Sequence, residues 1–262
     1  MSKACQLFSG SSGNSILIAS GETKLLVDAG VSAKRIENAL FNIGESAGEL
    51  SAIFVTHEHS DHISGIKVLA ARHGIPVFSS ETILMKMVVD GKINEKIMTQ
   101  PISENMVLGG IEIIPFELSH DSVQCFGYRF NLPDSRSVSV CTDTGYVPLS
   151  AKKVIPGSDL VFLESNHEVT MLENGPYPYI LKQRILSRKG HLSNADCAAF
   201  AAELVGSGTT RLVLSHLSRE NNFPDIARQT TLSALTEAGF TENRDFRLRV
   251  APVENNERPM KL

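Results

Sequence analysis

Six consecutive residues, His57-Glu58-His59-Ser60-Asp61-His62, bring together three imidazoles and two carboxylates. Imidazole and carboxylate in combination hold borderline-hard divalent cations such as zinc, manganese or iron. His57 and His59, two apart in an extended turn, can point the same way. Asp61 and His62 follow and can turn to a second side. The spacing therefore suggests two metal ions rather than one.

Other elements must bring partners to this stretch. Residues 50–55 are apolar and partly β-branched, the pattern of a buried strand. Residues 65–73 have helical spacing, with Ile66, Leu69 and Ala70 on one side. His73, before Gly74, suits the negative end of that helix and reads as structural. The His-rich hexapeptide thus sits where a strand ends and a helix begins, the place where ligand sites gather in α/β folds.

Polar residues recur at other strand ends. A strand over 24–27 ends on Asp28. Strands over 107–114 and 117–118, bent at Pro115, end on Ser119-His120. Strands over 137–142, 160–163 and 211–214 run into Asp143, Glu164 and Ser215-His216. Each of these has an ordinary explanation as a loop residue. Their joint occurrence is harder to dismiss, because five of the eight histidines lie in the hexapeptide or directly after apolar strands.

The remaining chain fills out two similar halves. Strands over 5–8 and 16–19 flank a small-residue turn from Ser9 to Ser15. That turn could cradle an anion with its backbone N–H groups, although it lacks the Lys-Ser/Thr of a nucleotide P-loop. Helices are expected over 32–43 with Ser32 as cap, over 81–89, over 179–189, over 193–205 capped by Ser193, and over 224–238. Residues 75–78 read as a strand, 91–100 as a connector, 125–132 as a strand paired with 137–142, and 246–250 as the last strand. The charged tail 254–262 is expected to fray. Each half is strand-rich and then helix-rich. That suits an α/β fold in one domain over 1–262, with two sheets face to face and helices outside, a four-layer αββα sandwich.

Composition narrows the class. The chain has 262 residues, 42% hydrophobic and 21% charged, as expected of a well-packed globule. No apolar run approaches the roughly 20 residues of a membrane span, and the first residues lack the pattern of a secretory signal. A cytoplasmic protein without a membrane partner is expected. Cys5, Cys125, Cys141 and Cys197 are scattered, so neither a disulfide framework nor a thiolate zinc site is suggested. They read as small buried hydrophobes, with Cys141 the one close to a candidate ligand. Net charge is −4, so contact with a polyanion must come from a local patch. One exists: no acidic residue falls between Glu173 and Asp196, a window holding Lys182, Arg184, Arg188 and Lys189 beside His191. Tyr177 and Tyr179 in the same window could stack on bases.

Thr56-His57-x-His59-x-Asp61-His62 resembles the signature of the metallo-β-lactamase superfamily. The resemblance implies the αββα fold and orders the ligands. One metal would take His57, His59 and His120. The other would take Asp61, His62 and His216. Asp143 would bridge them, with a bridging hydroxide as attacking group and Asp28 supporting the ligand loop through hydrogen bonds. Gly190-His191-Leu192-Ser193 and the segments around Glu164 and His216 are similar to the ribonuclease Z side of the superfamily. There the residue matching His191 reaches the scissile phosphate and the one matching Glu164 supports it. Over nearly its whole length, from the Ser-Gly-Ser-Ser-Gly-Asn-Ser turn onward, the chain resembles the YycJ (WalJ) group, bacterial cytoplasmic metallo-hydrolases regarded as DNA exonucleases. Only 47 residues separate Asp143 from His191, too few for the large inserted domain of β-CASP nucleases.

The expected function is therefore a dinuclear metal-dependent phosphodiesterase acting on nucleic acid, DNA before RNA, with Asp61 and His191 as the proton-handling groups. The rivals are a cyclic-phosphate diesterase, a thioester hydrolase of the glyoxalase II type, and a metal-binding regulator without catalysis. Oligomeric state is not readable from the chain.

Overall fold

The computed structural model describes residues 1–262. In chain order, β1 (Lys3–Phe8), β2 (Ser15–Ser20) and β3 (Thr23–Val27) precede α1 (Ala33–Asn42). Then come β4 (Ala52–Phe54), α2 (Ser60–Ile63), α3 (Ile66–His73), β5 (Val77–Ser79), α4 (Glu81–Val89) and β6 (Thr99–Pro101). The second half begins with β7 (Met106–Leu108), β8 (Ile111–Glu117), β9 (Phe126–Asn131) and β10 (Ser137–Cys141). It continues with α5 (Leu149–Val154), β11 (Leu160–Glu164), α6 (Val169–Asn174), α7 (Tyr179–Leu186) and α8 (Asn194–Gly206). β12 (Arg211–Ser215), α9 (Pro224–Glu237), β13 (Arg247–Val250) and β14 (Met260–Lys261) complete the chain.

The strands form two seven-stranded sheets, ordered β14-β1-β2-β3-β4-β5-β6 and β13-β12-β11-β10-β9-β8-β7. Both are mixed. β3, β4, β5 and β6 run parallel, as do β10, β11, β12 and β13. Parallel neighbours end on the same side, so the loops after β3, β4, β10, β11 and β12 gather at one rim of the sandwich.

Period-two alternation explains the layers. On β10, β11 and β12 the residues Val138, Val140, Leu160, Phe162 and Val213 join the core between the sheets. Their neighbours Cys141, Val161, Leu163, Leu212 and Leu214 pack outward against Phe200 and Leu204 of α8 and Leu235 of α9. Helix α1 covers the other sheet with Ile36 and Leu40. Phe54 crosses the inner layer, its ring 5.7 Å from Tyr128 and 5.9 Å from Phe130. Losing such a ring costs about 3–5 kcal/mol. Beside it the Tyr128 hydroxyl donates to the Val55 carbonyl at 2.7 Å, and Phe126 N–H donates to the Thr56 carbonyl at 2.9 Å. The two sheets are thus pinned together immediately before the hexapeptide.

The αββα sandwich is the architecture expected, with local departures. The tail does not fray: Met260 and Lys261 pair with Ala4 and Lys3, and Glu254 bridges Phe8, so the chain end extends the first sheet. Hydrogen bonding to an open strand edge outweighs the charge of the segment. Pro115 does not bend the strand. β8 runs through it, because β7 pairs only as far as Ile113 and the missing N–H lies where no strand needs it. The expected strand over 107–114 is instead a hairpin turning at Gly109 and Gly110, both at positive φ (55° and 81°). Part of the expected connector over 91–100 becomes β6. Ser32 precedes α1 without a side-chain cap bond, whereas Ser193 does cap α8 through Asp196 N–H. Helix α7 stops at Leu186, leaving Arg188 and Lys189 in the turn before His191.

Candidate metal centre

Every ligand foreseen in the sequence arrives at the shared rim. His57, His59, Asp61 and His62 lie between β4 and the end of α2. His120 follows β8, Asp143 follows β10, and His216 follows β12. Their donor atoms form overlapping groups: His57 with His59 and His120; Asp61 with His62 and His216; His57 with His62 and Asp143; and Asp143 with Glu164, His191 and His216. Within each group all donor atoms lie within 4.8 Å of one another. Asp143 belongs to two of these groups and lies between the first two. Its Oδ2 is 3.4 Å from His62 Nε2, and its Oδ1 is 4.0 Å from His120 Nε2.

The backbone is strained at the same places. Asp28, Asp143 and His216 each follow a strand and adopt φ values of 61°, 64° and 57°. Left-handed φ in residues other than glycine is uncommon, and persists where surroundings over-determine it. His216 is held from both sides: its N–H donates to Ser9 Oγ at 2.8 Å, and its carbonyl accepts from Asn166 Nδ2 at 2.9 Å.

Hydrogen bonds select which imidazole nitrogen faces inward. His62 Nδ1 donates to Asp28 Oδ2 at 2.7 Å, which frees Nε2 for the site. Asp28 also accepts from the N–H and hydroxyl of Thr56, each at 2.8 Å. His120 Nδ1 donates to the Gly190 carbonyl at 3.0 Å. Its Nε2 then faces His59 Nδ1 at 3.3 Å, two nitrogens converging on one point.

The residues fit divalent cations. His57 Nε2, Asp143 Oδ2 and both ring nitrogens of His216 are buried without a hydrogen-bond partner. The 3.0 Å approach of His216 Nδ1 to Asp143 Oδ1 is an ion-pair distance without hydrogen-bond alignment. Buried polar atoms left this way are costly. Burial holds His57 well below the ordinary histidine range, with His62 pushing the same way, and burial also lowers His120. Burial opposes ionisation of Asp143, but the attraction of His216 and His62 prevails and keeps it well below the usual carboxylate range. Neutral imidazoles and an ionised carboxylate are the ligating forms. Burial also opposes charge on His62 and His216. The carboxylates around them, Asp143 foremost, prevail, raising His62 to about 9 and His216 well above its usual value. These protons sit where cations would displace them.

The fourth of the ligand groups contains a second hydrogen-bonded pair. His191 Nδ1 donates to Glu164 Oε1 at 2.7 Å. The buried Glu164 also accepts from Thr144 N–H at 2.8 Å and Leu192 N–H at 3.3 Å. Burial works against its charge, yet His191 outweighs that and brings the carboxyl down to about 2. His191, His59, Asp61, His120, Asp143 and His216 line one cavity of about 220 Å³, completed by Ser11, Asn166, Tyr177, Leu181, Arg184, Ile185 and Ser218. Of the four cations singled out in the acid-free window, Arg184 lines this cavity and pairs with Asp121. Lys182 instead caps the Glu173 carbonyl at 2.8 Å. The Arg188 guanidinium lies 4.0 Å over the Tyr146 ring, and Lys189 is exposed beyond the helix end. Tyr177 borders the cavity, whereas Tyr179 is 74% exposed outside it. Ser11 brings the Ser9–Ser15 turn to the cavity wall. Cys141 is fully buried with its thiol pushed up by burial, as a structural residue would be.

Three contributors escaped the sequence reading. Asn14 Nδ2 lies 3.1 Å from His62 Nε2 and 3.5 Å from Asp61 Oδ2. Asn166 holds His216, and Asp121 Oδ1 is 3.3 Å from His120 Nε2. Asn14 and Asn166 stood inside segments already marked as unusual, but amides carry no metal signature of their own.

A sandwich whose parallel strands deliver His and Asp ligands to one rim defines the metallo-β-lactamase class of protein. Residues 23–217 match the Beta-lactamase superfamily domain, and the chain belongs to that family. It is 39% identical over 246 residues to Exodeoxyribonuclease WalJ of Streptococcus pneumoniae, covering 92% of this chain and 91% of that protein. It is equally 39% identical over 245 residues to Exodeoxyribonuclease YycJ of Bacillus anthracis, covering 92% of each. Among solved structures it resembles the metallo-β-lactamase fold protein YhfI of Bacillus subtilis. That match has a TM-score of 0.71 and 20% identity, covering 97% of this chain and 98% of the other.

Proposed function

We propose that the chain is a metal-dependent phosphodiesterase that degrades DNA from an end. The observation that carries this reading is the His191–Glu164 pair beside the His57, His59, His120 and Asp61, His62, His216 groups. A metal site alone needs no such dyad, whereas departure of an alkoxide from phosphorus needs a proton. Two relatives named exodeoxyribonucleases, matched over nine-tenths of their length, support DNA as the substrate and an end as the point of attack.

In this reading His57, His59 and His120 would hold one divalent cation, and Asp61, His62 and His216 a second, zinc, manganese or iron, with Asp143 available to both. When bound, such ions supply a water of lowered pKa and neutralise charge on the phosphoryl oxygens. The protein residues divide the remaining work. Asp61 lines the cavity beside His216, where its carboxylate can accept the proton of the attacking water. As the imidazolium, His191 would keep its Nδ1 proton on Glu164 and give its Nε2 proton to the leaving oxygen, returning to the neutral ring. Arg184, paired with Asp121 at the cavity, can turn its guanidinium to a non-bridging phosphate oxygen. The working compartment is the cytoplasm, where DNA is available, and no helix is long and apolar enough to cross a membrane.

The test is a digestion panel with purified protein. Single and double strands of DNA and RNA, labelled at either end, are incubated with zinc, manganese or ferrous iron, beside a cyclic nucleotide and a thioester. Metal-dependent release of mononucleotides from one DNA end is expected. Faster turnover of the cyclic nucleotide or the thioester, or ester hydrolysis by none of the metal forms, overturns the proposal.

A further inference from the structure

The edge of the sandwich formed by β12, β13 and β14 breaks the alternation that builds the rest of the core. Register aligns Val138, Leu160, Arg211 and Arg247 across β10 to β13. The next inward row is Val140, Phe162, Val213 and Arg249. Val138, Leu160, Val140, Phe162 and Val213 all join the core between the sheets. At the end of both rows, positions that alternation would fill with apolar residues carry arginine. The opposite sheet is short there, since β14 is only two residues long, so the space between the sheets opens to solvent.

That opening is a recess of about 230 Å³. Arg211, Arg247, Arg249 and Lys261 line it, with no carboxylate among its lining residues. Arg258 borders an adjoining recess that shares Arg249. Arg249 meets Glu257 at 3.3 Å, whereas Arg211, Arg247, Arg258 and Lys261 form no ion pair. Arg211 and Arg247 are direct cross-strand partners, an arrangement of like charges that destabilises a sheet. Charge on an outer strand edge can simply discourage pairing between molecules. That account covers β13 but not Arg211, which sits on an interior strand. A chain of net charge −4 has here concentrated cations at a cost, and local rules are broken in this way at functional sites.

We infer that this recess binds the phosphodiester backbone of the DNA substrate away from the point of cleavage. The inference rests on the nuclease reading. Guanidinium forks match phosphate bidentately, and three of them around one opening suit a chain of phosphates. Arg211 begins β12 and His216 follows its end. The strand rise of about 3.3 Å per residue separates them by about 17 Å. That is about five phosphate steps of a duplex strand at about 3.4 Å each. A substrate extending past the active site along this edge reaches the recess, and a very short one does not.

The experiment compares the parent with a triple variant, Arg211→Gln, Arg247→Gln and Arg249→Gln, whose folding is checked by circular dichroism. Cleavage of a duplex of about 40 base pairs, of a deoxydinucleotide, and of bis(p-nitrophenyl) phosphate is measured from about 50 to 200 mM salt. For the long duplex, kcat/KM falls at least about tenfold at low salt. The slope of its logarithm against log salt becomes shallower by about 2–3, close to 0.9 per lost contact. The two small substrates are turned over as before. An unchanged long-duplex rate and slope, with bis(p-nitrophenyl) phosphate still hydrolysed, sinks the recess and leaves the nuclease reading intact. If the parent hydrolyses bis(p-nitrophenyl) phosphate but no DNA, the nuclease reading fails, and anisotropy of labelled duplex decides the recess alone. Binding of inorganic triphosphate that the variant loses, without any change in duplex binding, assigns the recess to a small anion and overturns the DNA assignment.

Discussion

Asp28 and His62, 34 residues apart in the chain, form a buried pair at 2.7 Å that fixes which nitrogen of His62 looks into the ligand cluster. Asp28 adopts left-handed backbone geometry to do so. Replacing it by alanine removes the acceptor for His62 Nδ1 and for two Thr56 donors. Loss of an outer partner of this kind typically weakens metal binding about 10–100-fold. Zinc titration of the Asp28→Ala protein should show that loss at the Asp61, His62 and His216 group, with the other group less affected. Equal affinities in variant and parent would remove Asp28 from the site.

Half-buried His191 and buried Glu164 form a second pair, on which the proposed chemistry depends. In the proposed scheme His191 protonates a leaving oxygen, a step worth about 10²–10⁴ in rate. The p-nitrophenolate group leaves without that help. His191→Ala should therefore reduce kcat on DNA by about 10²–10⁴, while bis(p-nitrophenyl) phosphate loses much less and bound metal stays constant. Equal losses on both substrates would make His191 a binding or positioning residue. Glu164→Gln should follow the same pattern more weakly, since an amide still accepts the Nδ1 proton.

Much of this candidate site was legible in the chain because its potential ligands cluster by type. His57, His59, Asp61 and His62 fall in six residues, and His120, Asp143 and His216 each follow a recognisable apolar strand. Parallel pairing of β10, β11 and β12 then suffices to bring the last residues together. What was not legible depends on distant geometry. Asn14 meets His62 across 48 residues, and Asn166 meets His216 across 50. The pairing of Met260 with Ala4 joins the two ends of the chain, and no local pattern announces it. Arg188 and Lys189 belonged to a basic window in sequence but fall beyond the last turn of α7, where Arg188 stacks on Tyr146.

His167 supplies a test of acid stability away from the ligands. Its side chain is buried with Nδ1 lacking a partner, and burial lowers it from the ordinary 6.5 to about 4, against the pull of Glu164. The unfolded chain takes up this proton below pH 6.5, and the folded protein resists until about 4. Stability from this group is therefore full above pH 6.5 and declines between about 6.5 and 4. The decline is on the order of 3 kcal/mol at most, at 1.36 kcal/mol per pH unit. His167→Asn should unfold at a lower temperature than the parent at pH 7.5, and the gap should close or reverse near pH 4.5. A gap independent of pH would show that His167 titrates alike in the folded and unfolded states.

Asp143 is the residue on which the two-ion reading turns. It lies between the His57, His59, His120 group and the Asp61, His62, His216 group, and its Oδ2 is buried with no hydrogen-bond partner. Asp143→Asn preserves shape but removes the charge that holds both clusters. Bound metal should fall from two ions per chain to one or none, and hydrolysis of DNA and of bis(p-nitrophenyl) phosphate should be lost. The circular dichroism spectrum should remain that of the parent, because the strands on either side of Asp143 are held by apolar packing. Removing metal from the parent with a chelator should lower its melting temperature, since ligands that bind only the folded state stabilise it. The same chelator should do much less to Asp143→Asn. If the variant retains two ions and full turnover, the shared carboxylate is not the bridge between the clusters and the two-ion scheme fails with it.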